Sequence, residues 1–294
     1  MKFSFSTLGC PDYTFDQMID LAKRNGYGGI EFRIYKGSVD YHEAEEFSRE
    51  NIKATRKLFN SNGIEIACCS SSIRFSIPDE EERQKNYKLA QRYFEMASDL
   101  GCKYVRVFGG PYPINFSGQK SEPFIDKFRA EIAPEKTRGL TQRMCDEWIM
   151  ESYGHIGEMG KSYGVMPLME THDDFADGQR VRDIVDGCGS DNFGILWDCL
   201  HPFRYGHDLQ KTFDVIKDKV HHVHMKDSKD LTPWGFVPAL VGEGEMDIKG
   251  ALTILKNSEY SDYISFEWEK AWFPEVEDSS VAITQFIREA RKML

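Results

Sequence analysis

The sequence predicts one α/β domain, a (β/α)8 TIM barrel that spans residues 1–294. Short hydrophobic strands alternate with amphipathic helices, which is typical of βα units on a parallel sheet. Eight such units in 294 residues match the usual size of this barrel. The first strand leads into Gly9-Cys-Pro-Asp12 and not into a Gly-rich phosphate loop, which favours a barrel over an open doubly wound sheet.

Local signals define the first four strands and the helices between them. Thr14, with Gln17 three residues later, predicts the start of the first helix by the capping-box pattern. Glycines at positions 26, 63 and 101 are expected to end the first three helices. We expect strands at Lys2–Leu8, Gly28–Arg33, Ile64–Ser70 and Tyr104–Gly109, and helices at Phe15–Asn25, Tyr41–Asn62 and Pro78–Leu100.

One insertion interrupts the alternation. Pro111–Gly139 contains prolines and charges without a clean period, and a long insertion after the carboxyl end of a strand is often functional. We therefore predict a loop around residues 111–139 that lies over the active site, with a short helix near Phe124–Ile132.

The alternation then resumes to the end of the chain. Lys226–Gly244 is predicted to be a loop, and Gly242-Glu-Gly-Glu245 a tight turn before the next helix. The remaining strands are expected at Val165–Glu170, Phe193–Asp198, Val220–Met225 and Tyr263–Glu267, and the helices at Leu140–Tyr163, Asp177–Cys188, Leu209–Lys217, Ile248–Asn257 and Val276–Leu294.

Composition narrows the class of partner. The net charge is −11, from 37 basic and 48 acidic residues, which argues against a nucleic-acid partner because such proteins usually present a basic face. The seven cysteines include no CxxC pair, so we expect reduced thiols and a cytoplasmic protein. The N-terminus lacks a long apolar region, and no segment reaches the roughly 20 apolar residues of a membrane helix. No membrane partner is expected.

Four of the later strands end in a residue that can bind a metal ion. In a barrel, the carboxyl ends of the strands meet at one face, where active sites form. Three carboxylates and one imidazole make an oxygen-rich site that favours Mn²⁺, with Mg²⁺, Co²⁺ or Zn²⁺ as alternatives. The predicted ligands of one divalent ion are Glu170, Asp198, His224 and Glu267.

The alternation of side chains along a strand supports this site. Counting back by twos from the four strand ends, the inward residues are Leu168, Leu196, His222 and Ser265. The residues between them, such as Trp197 and Phe266, would face the helices. His222 then belongs to a polar inner layer. His172 continues the inward series from Glu170, so we expect it to line the pocket.

Five segments in order, with GYGGIEFR near the start, resemble the sugar phosphate isomerase/epimerase family, which has a xylose isomerase-like barrel. The segments are METHDDFAD, ILWDCLHPFRYG, VHHVHMKDS, VGEGEMDI and ISFEWEKAW. The resemblance implies that the four predicted ligands hold one divalent metal and that His201 and Lys226 contact the substrate. It does not identify the sugar. Barrels of this kind often pair, so a homo-oligomer stays open.

Isomerase or epimerase chemistry requires proton transfer next to a carbonyl. Glu170 and Glu267, on opposite sides of the barrel mouth, are the predicted acid/base pair. A divalent cation would stabilise the enediolate oxygens. His201 or Lys226 would steady the developing negative charge.

Three alternatives remain. A lyase or dehydratase acting on a keto-sugar, keto-glycoside or inosose would share the first proton abstraction. A DNA-repair endonuclease of the AP type needs further histidines at the earlier strand ends, and strands two to four offer none. A non-catalytic sugar-binding barrel is disfavoured by the intact pair of carboxylates.

Several other side chains near the strand ends have weaker signals. Arg106 and Glu31 lie in strands and are predicted to form an internal ion pair, because a buried charge needs a partner. The aromatic residues of the strand-end loops either form an apolar wall against a sugar face or pack the loops together; they are Trp234, Phe236, Trp268 and Trp272.

Overall fold

A closed barrel of eight parallel strands forms the centre of the computed structural model, which describes residues 1–118 and 120–294. The strands are β1 Lys2–Ser6, β2 Gly29–Phe32, β3 Glu65–Arg74, β4 Tyr104–Phe108, β5 Met166–Glu170, β6 Gly194–Asp198, β7 Val220–Met225, β8 Asp227–Thr232, β9 Gly235–Ala239 and β10 Tyr263–Phe266. All except β8 and β9 belong to the barrel, in chain order, and β1 closes it by pairing with both β2 and β10. The predicted fold class is confirmed.

Helices surround the barrel. They are α1 Phe15–Asn25, α2 Ile52–Ser61, α3 Glu80–Leu100, α4 Pro123–Ala130, α5 Pro134–Thr137, α6 Gln142–Tyr163, α7 Gly178–Gly187, α8 Leu200–Arg204, α9 Leu209–Ile216, α10 Ile248–Asn257 and α11 Ser279–Met293. No described helix combines the length and the apolar character that a membrane crossing requires.

Helix α1 shows how local signals define an element. The Thr14 hydroxyl accepts a hydrogen bond from the Gln17 amide at 3.4 Å, and the Gln17 side chain accepts one from the Thr14 amide at 2.8 Å. The helix ends at Gly26, whose φ of 72° is left-handed and suits glycine. Both predicted ends of α1 are confirmed.

The predicted helix at Tyr41–Asn62 is wrong in its first half. Short 3₁₀ turns at Tyr41–Glu43 and Glu45–Phe47 replace it, and α2 begins only at Ile52. Packing explains the difference, because the ring of Phe47 lies 5.4 Å from that of Tyr41 in a buried aromatic cluster. This tertiary contact outweighs the helical tendency of the charged residues around it.

The predicted loop at Lys226–Gly244 is also wrong. Strands β8 and β9 pair there as an antiparallel hairpin, with Asp227 opposite Ala239. The polar sequence of β8 lacks the hydrophobic alternation that indicates a strand. The expected turn at residues 242–245 is present, and the Asp227 carboxylate accepts hydrogen bonds from the amides of Gly242 and Gly244 at 2.8 and 3.1 Å.

The insertion around residues 111–139 contains the predicted short helix as α4, followed by α5. Ion pairs hold the insertion against later loops of the barrel. Glu122 pairs with Arg204 of α8, and Arg129 contacts Asp174 at 3.0 Å. The insertion therefore lies at the carboxyl end of the barrel.

The expected alternation of strand side chains is present. Trp197 packs against Phe213 of α9 at 5.0 Å between ring centroids, and Phe266 stacks on Phe286 of α11 at 4.4 Å. Leu168 and Leu196 are also buried, but they do not belong to the hydrophobic cluster between the strands and the helices. The next inward positions on β5 and β6 are therefore Glu170 and Asp198.

Candidate active site

The four predicted metal ligands converge at the carboxyl end of the barrel. One donor atom from each of Glu170, Asp198, His224 and Glu267 lies within 4.8 Å of the others. All four residues are buried. They end or follow β5, β6, β7 and β10, neighbouring strands in the barrel, which explains the convergence.

The imidazole of His224 lies at the centre of the cluster. Its Nδ1 is 3.1 Å from Glu170 Oε1, 3.5 Å from Glu267 Oε1 and 3.7 Å from Asp198 Oδ2. Glu170 Oε2 and Asp198 Oδ2 are buried and accept no well-directed hydrogen bond. Arg106 Nε, 3.3 Å from Glu170 Oε2, and Lys226 Nζ, 2.9 Å from Asp198 Oδ2, offset part of the negative charge, which is costly to bury. This donor set fits one hard divalent cation.

Glu31 fixes the other side of the His224 ring. Its carboxylate lies 2.9 Å from His224 Nε2, 2.9 Å from His222 Nε2 and 2.6 Å from the Ser70 hydroxyl. With a metal ion bound, a proton on Nε2 that points at Glu31 would leave the Nδ1 lone pair for the ion. His222 therefore lies in a polar inner layer, as predicted.

The predicted ion pair between Arg106 and Glu31 is wrong, because each of the two residues pairs with a different partner. Arg106 Nε lies 3.3 Å from Glu170 Oε2, and Glu31 pairs with the two histidines. Burial raises the pKa of Glu31, but His224 and His222 outweigh burial and hold this pKa well below its usual value. Both residues thus have buried partners, as a buried charge requires.

Glu31, His222 and His224 form a second group with metal-ligand chemistry. The Glu31 carboxylate already pairs with Nε2 of both histidines, and none of the three lines the large cavity described below. We therefore assign Glu31 and His222 a supporting role for the first cluster.

Replacing Glu31 by Gln should weaken divalent-metal binding by about 10- to 100-fold, the usual effect of losing the partner that orients a ligating histidine. Calorimetric titration with Mn²⁺ measures the effect. Glu65→Gln is the matched control, since that side chain is 60% exposed and forms a surface ion pair with Lys2. Equal affinity in the Glu31 variant and the control would contradict the supporting role.

Lys226 lies among carboxylates on the β10 side. Its Nζ is 2.5 Å from Glu267 Oε2, 2.8 Å from Glu269 Oε1 and 2.9 Å from Asp198 Oδ2. Burial lowers the pKa of Lys226, but these three carboxylates outweigh burial and hold this pKa well above its usual value. Lys226 points into the barrel mouth, where the sequence places it.

A cavity of about 730 Å³ opens above the cluster. Its lining includes both proposed acid/base residues and the three predicted substrate contacts: Glu170, Glu267, His172, His201 and Lys226. Trp234, Phe236 and Trp272 form part of its wall. Trp268 instead packs below, stacked on Phe266, with its indole N–H donating to the Glu277 carbonyl at 3.1 Å. Of the four aromatic residues, three thus form a wall and one packs a loop.

His172 and His201 lie side by side, with ring centroids 4.0 Å apart. Burial lowers the pKa of His172, but Asp173, 2.7 Å away, outweighs burial and raises this pKa to about 9. Burial and the neighbouring His172 hold the pKa of His201 well below its usual value. His201 is therefore a neutral imidazole. Both of its ring nitrogens are buried without a hydrogen-bond partner, so they suit the hydroxyl groups of a bound ligand.

The sequence reasoning missed several cavity residues. Glu269 is buried, contacts Lys226, and has its pKa raised by burial, and by Glu267 as well. Arg33 and Arg74 also line the cavity. The alternation rule offered a signal for two of them, because Glu269 lies two residues after Glu267 and Arg33 two residues after Glu31.

Comparison with known proteins supports the fold assignment. The xylose isomerase-like TIM barrel family model matches residues 19–290. An inosose isomerase of Halalkalibacterium halodurans is 24% identical over 263 residues, which cover 85% of this chain and 80% of the relative. A probable 3-DHS dehydratase, AsbF of Bacillus anthracis, has a TM-score of 0.74 at 16% identity, with 98% of each chain covered. A structure of the IOLI protein with a zinc atom has a TM-score of 0.74 at 18% identity, covering 100% of this chain and 96% of the other. The chain belongs to the xylose isomerase-like TIM barrel family.

Proposed function

We propose that this protein is a divalent-metal-dependent isomerase or epimerase of sugars or sugar derivatives, which transfers a proton at a carbon next to a carbonyl. The observation that carries the proposal is the convergence of three carboxylates and one imidazole beside a cavity large enough for a sugar. Family membership and the similarity to an inosose isomerase support it.

The metal would be held by Glu170, Asp198, His224 Nδ1 and Glu267. When bound, such an ion polarises a carbonyl and stabilises an enediolate. We propose Mn²⁺, because oxygen donors predominate and one imidazole is present. Mg²⁺, Co²⁺ and Zn²⁺ are the alternatives, and the similar IOLI protein binds zinc.

Glu170 and Glu267 would transfer the proton. Burial raises the pKa of Glu170, but Arg106 and His224 outweigh burial and lower it to about 2, so this carboxylate is ionised at neutral pH and can accept a proton. Glu267, on the other side of His224, would return a proton to the opposite face or to the neighbouring carbon. Lys226 donates a hydrogen bond to Glu267, and the neutral His201 faces the same cavity. Lys226 and His201 would bind substrate oxygens, and His172 lies beside His201.

The test is incubation of the metal-loaded protein with D-fructose, D-tagatose, D-psicose and an inosose in deuterium oxide. We expect deuterium to enter at a carbon next to the carbonyl of at least one substrate, with the carbon skeleton and all oxygens retained. Nuclear magnetic resonance locates the deuterium, and mass spectrometry gives the mass. Absence of exchange and of any new product with each of the four metals would contradict the proposal.

A dehydratase is the second candidate, and Glu269 favours it. This carboxylate lies in the same cavity two residues after Glu267, so it offers a further group that could exchange a proton with a departing hydroxyl group. The similarity to a probable 3-DHS dehydratase points the same way. A product lighter than the substrate by one water would identify this reaction.

We further propose that the chain works as one domain in the cytoplasm on a small molecule, with the insertion at residues 111–139 forming one wall of the cavity. The free thiol state of all seven cysteines supports this location. The net charge of −11 argues against a nucleic-acid substrate.

A further inference from the structure

One side of the cavity is cationic, and of its charged groups only Arg106 takes part in the proposed proton transfer, through its contact with Glu170. This cationic side is formed by residues in or directly after β2, β3 and β4, away from the Lys226 side. Three guanidinium groups line it, and we name this surface the arginine wall: Arg33, Arg74 and Arg106. Buried guanidinium groups need partners that balance their positive charge.

Arg33 is the residue with the least compensation. Its side chain is almost fully buried, with 8% of the residue exposed, and no hydrogen bond or ion pair reaches its guanidinium from the residues the structure describes. Burial and the like charge of Arg106 lower the pKa of Arg33 to about 10. A buried charge without a partner is costly, so proteins retain one where a ligand supplies the partner.

Arg106 and Arg74 also have donors to spare. Arg106 contacts Glu170 through Nε and lies 3.8 Å above the Phe108 ring, while its Nη1 is buried without a partner. Arg74 lies 4.6 Å from the Phe128 ring centroid, and its Nε is unpartnered. Aromatic contacts hold both side chains but do not neutralise them.

The acidic residues of the cavity act on Arg33 and Arg74 only from a distance, because other cations pair with them. Glu122 pairs with Arg204, Asp173 with His172, and Glu269 with Lys226. Of the cavity carboxylates, Glu170 alone contacts the arginine wall within ion-pair distance. That carboxylate is also a proposed metal ligand.

We propose that the arginine wall binds an anionic group of the substrate, a carboxylate or a phosphate ester. The guanidinium fork matches both groups geometrically and carries a permanent charge. The substrate is then a sugar acid or a sugar phosphate and not a neutral sugar. Because Arg106 contacts Glu170, the anionic group lies on the Glu170 side of the reacting carbon. The substrate assignment rests on the proposed function, whereas anion binding at the wall does not.

The binding test uses three probes with the same three-carbon body: glycerol, D-glycerate and glycerol 3-phosphate. Calorimetric titration of the metal-loaded protein at constant ionic strength should show at least one anion binding about tenfold or more tighter than glycerol. Arg33→Gln should lose about tenfold or more of that affinity, and Arg74→Gln should lose part of it. Arg143→Gln, whose side chain is 87% exposed, is the control and should retain it.

Thermal unfolding separates a binding role from a structural one. Without ligand, Arg33→Gln should melt at the same temperature as the parent protein or higher, because an uncompensated buried charge is removed. A lower melting temperature together with unchanged anion affinity would overturn the proposal. If Arg33→Gln does not fold, Arg33→Lys and Arg74→Gln carry the same binding test.

The experiment distinguishes this proposal from the proposed function. If anion binding depends on Arg33 but no ketose exchanges a proton, the result would support anion binding by the arginine wall and contradict the proposed isomerase function. If the protein exchanges a proton but kcat/KM is equal for D-fructose and D-fructose 6-phosphate and no higher for D-fructuronate, the result would support the isomerase function. It would overturn the proposal that the arginine wall binds an anionic group of the substrate. The tighter of the two anionic probes shows whether the group is a carboxylate or a phosphate.

Discussion

Replacing Glu170 by Gln should slow proton exchange at the substrate carbon by about 10³-fold or more, since a neutral amide cannot accept the proton. Glutamine keeps the size of the side chain and its contact with Arg106, so the barrel should still fold. The measurement is the rate at which deuterium enters the substrate that the parent protein turns over. Glu151→Gln, an exposed position on α6, is the matched control.

Glu170 is also a proposed metal ligand, so the exchange rate is measured at saturating metal and the bound metal is quantified in the same sample. Glu267→Gln is the companion variant, because it removes the other member of the pair. Exchange that persists in Glu170→Gln but stops in Glu267→Gln would reverse the two roles. Exchange that persists in both variants would show that neither carboxylate is the base.

Removing the metal should have a comparable effect on activity and a visible effect on stability. A chelator is expected to reduce exchange by about 10³-fold or more, because the cation supplies the charge that an enediolate requires. A metal present at about 1,000 times its Kd stabilises the folded state by about 4 kcal/mol, and the chelator removes this contribution. Thermal unfolding with and without Mn²⁺ measures it.

The Asp198→Asn variant tests one proposed metal ligand without the use of a chelator. Asp198 Oδ1 accepts a hydrogen bond from the Leu200 amide at 2.9 Å, which Asn can keep, whereas Oδ2 faces the cluster. The variant should therefore fold but lose the metal-dependent rise in melting temperature. Asp191→Asn, at an exposed position, should retain this rise. Equal metal stabilisation in both variants would mean that the ion binds elsewhere.

The convergence of the four proposed ligands was predictable because a barrel brings the carboxyl ends of its strands together. Hydrophobic runs that end in Glu170, Asp198 and His224 indicate strands, and parallel strands of a closed barrel bring their carboxyl ends to one face. The alternation of side chains then gives the direction of each group. Neither step requires knowledge of the loops, which explains why the prediction of their convergence succeeded.

The support for these ligands was not predictable from local pattern. Glu31 and His224 are 193 positions apart, and β1 and β10 lie between their strands in the barrel. Their contact crosses the barrel interior and depends on the register of every strand between them. The partner of Arg106 depends on a different register, that between the neighbouring strands β4 and β5, which places Phe108 opposite Glu170. For this reason the sequence indicated two buried charges but not which residues compensate them.

The predicted elements that were wrong lie where tertiary contacts decide the conformation. Phe47 and Tyr41 enter a buried aromatic cluster, which breaks the helix that the charged residues around them favour. The β8–β9 hairpin has a polar first strand, Asp227–Thr232, whose pairing with β9 the sequence pattern does not indicate. Both segments connect strands of the barrel, so the errors left the predicted fold class intact.

The position of the metal ion is the most direct test of the central claim. Crystals of the Mn²⁺-loaded protein, measured at the manganese absorption edge, should show a single anomalous peak coordinated by Glu170, Asp198, His224 Nδ1 and Glu267. A peak between Glu31, His222 and the Nε2 side of His224, or no peak within the barrel mouth, would contradict the claim.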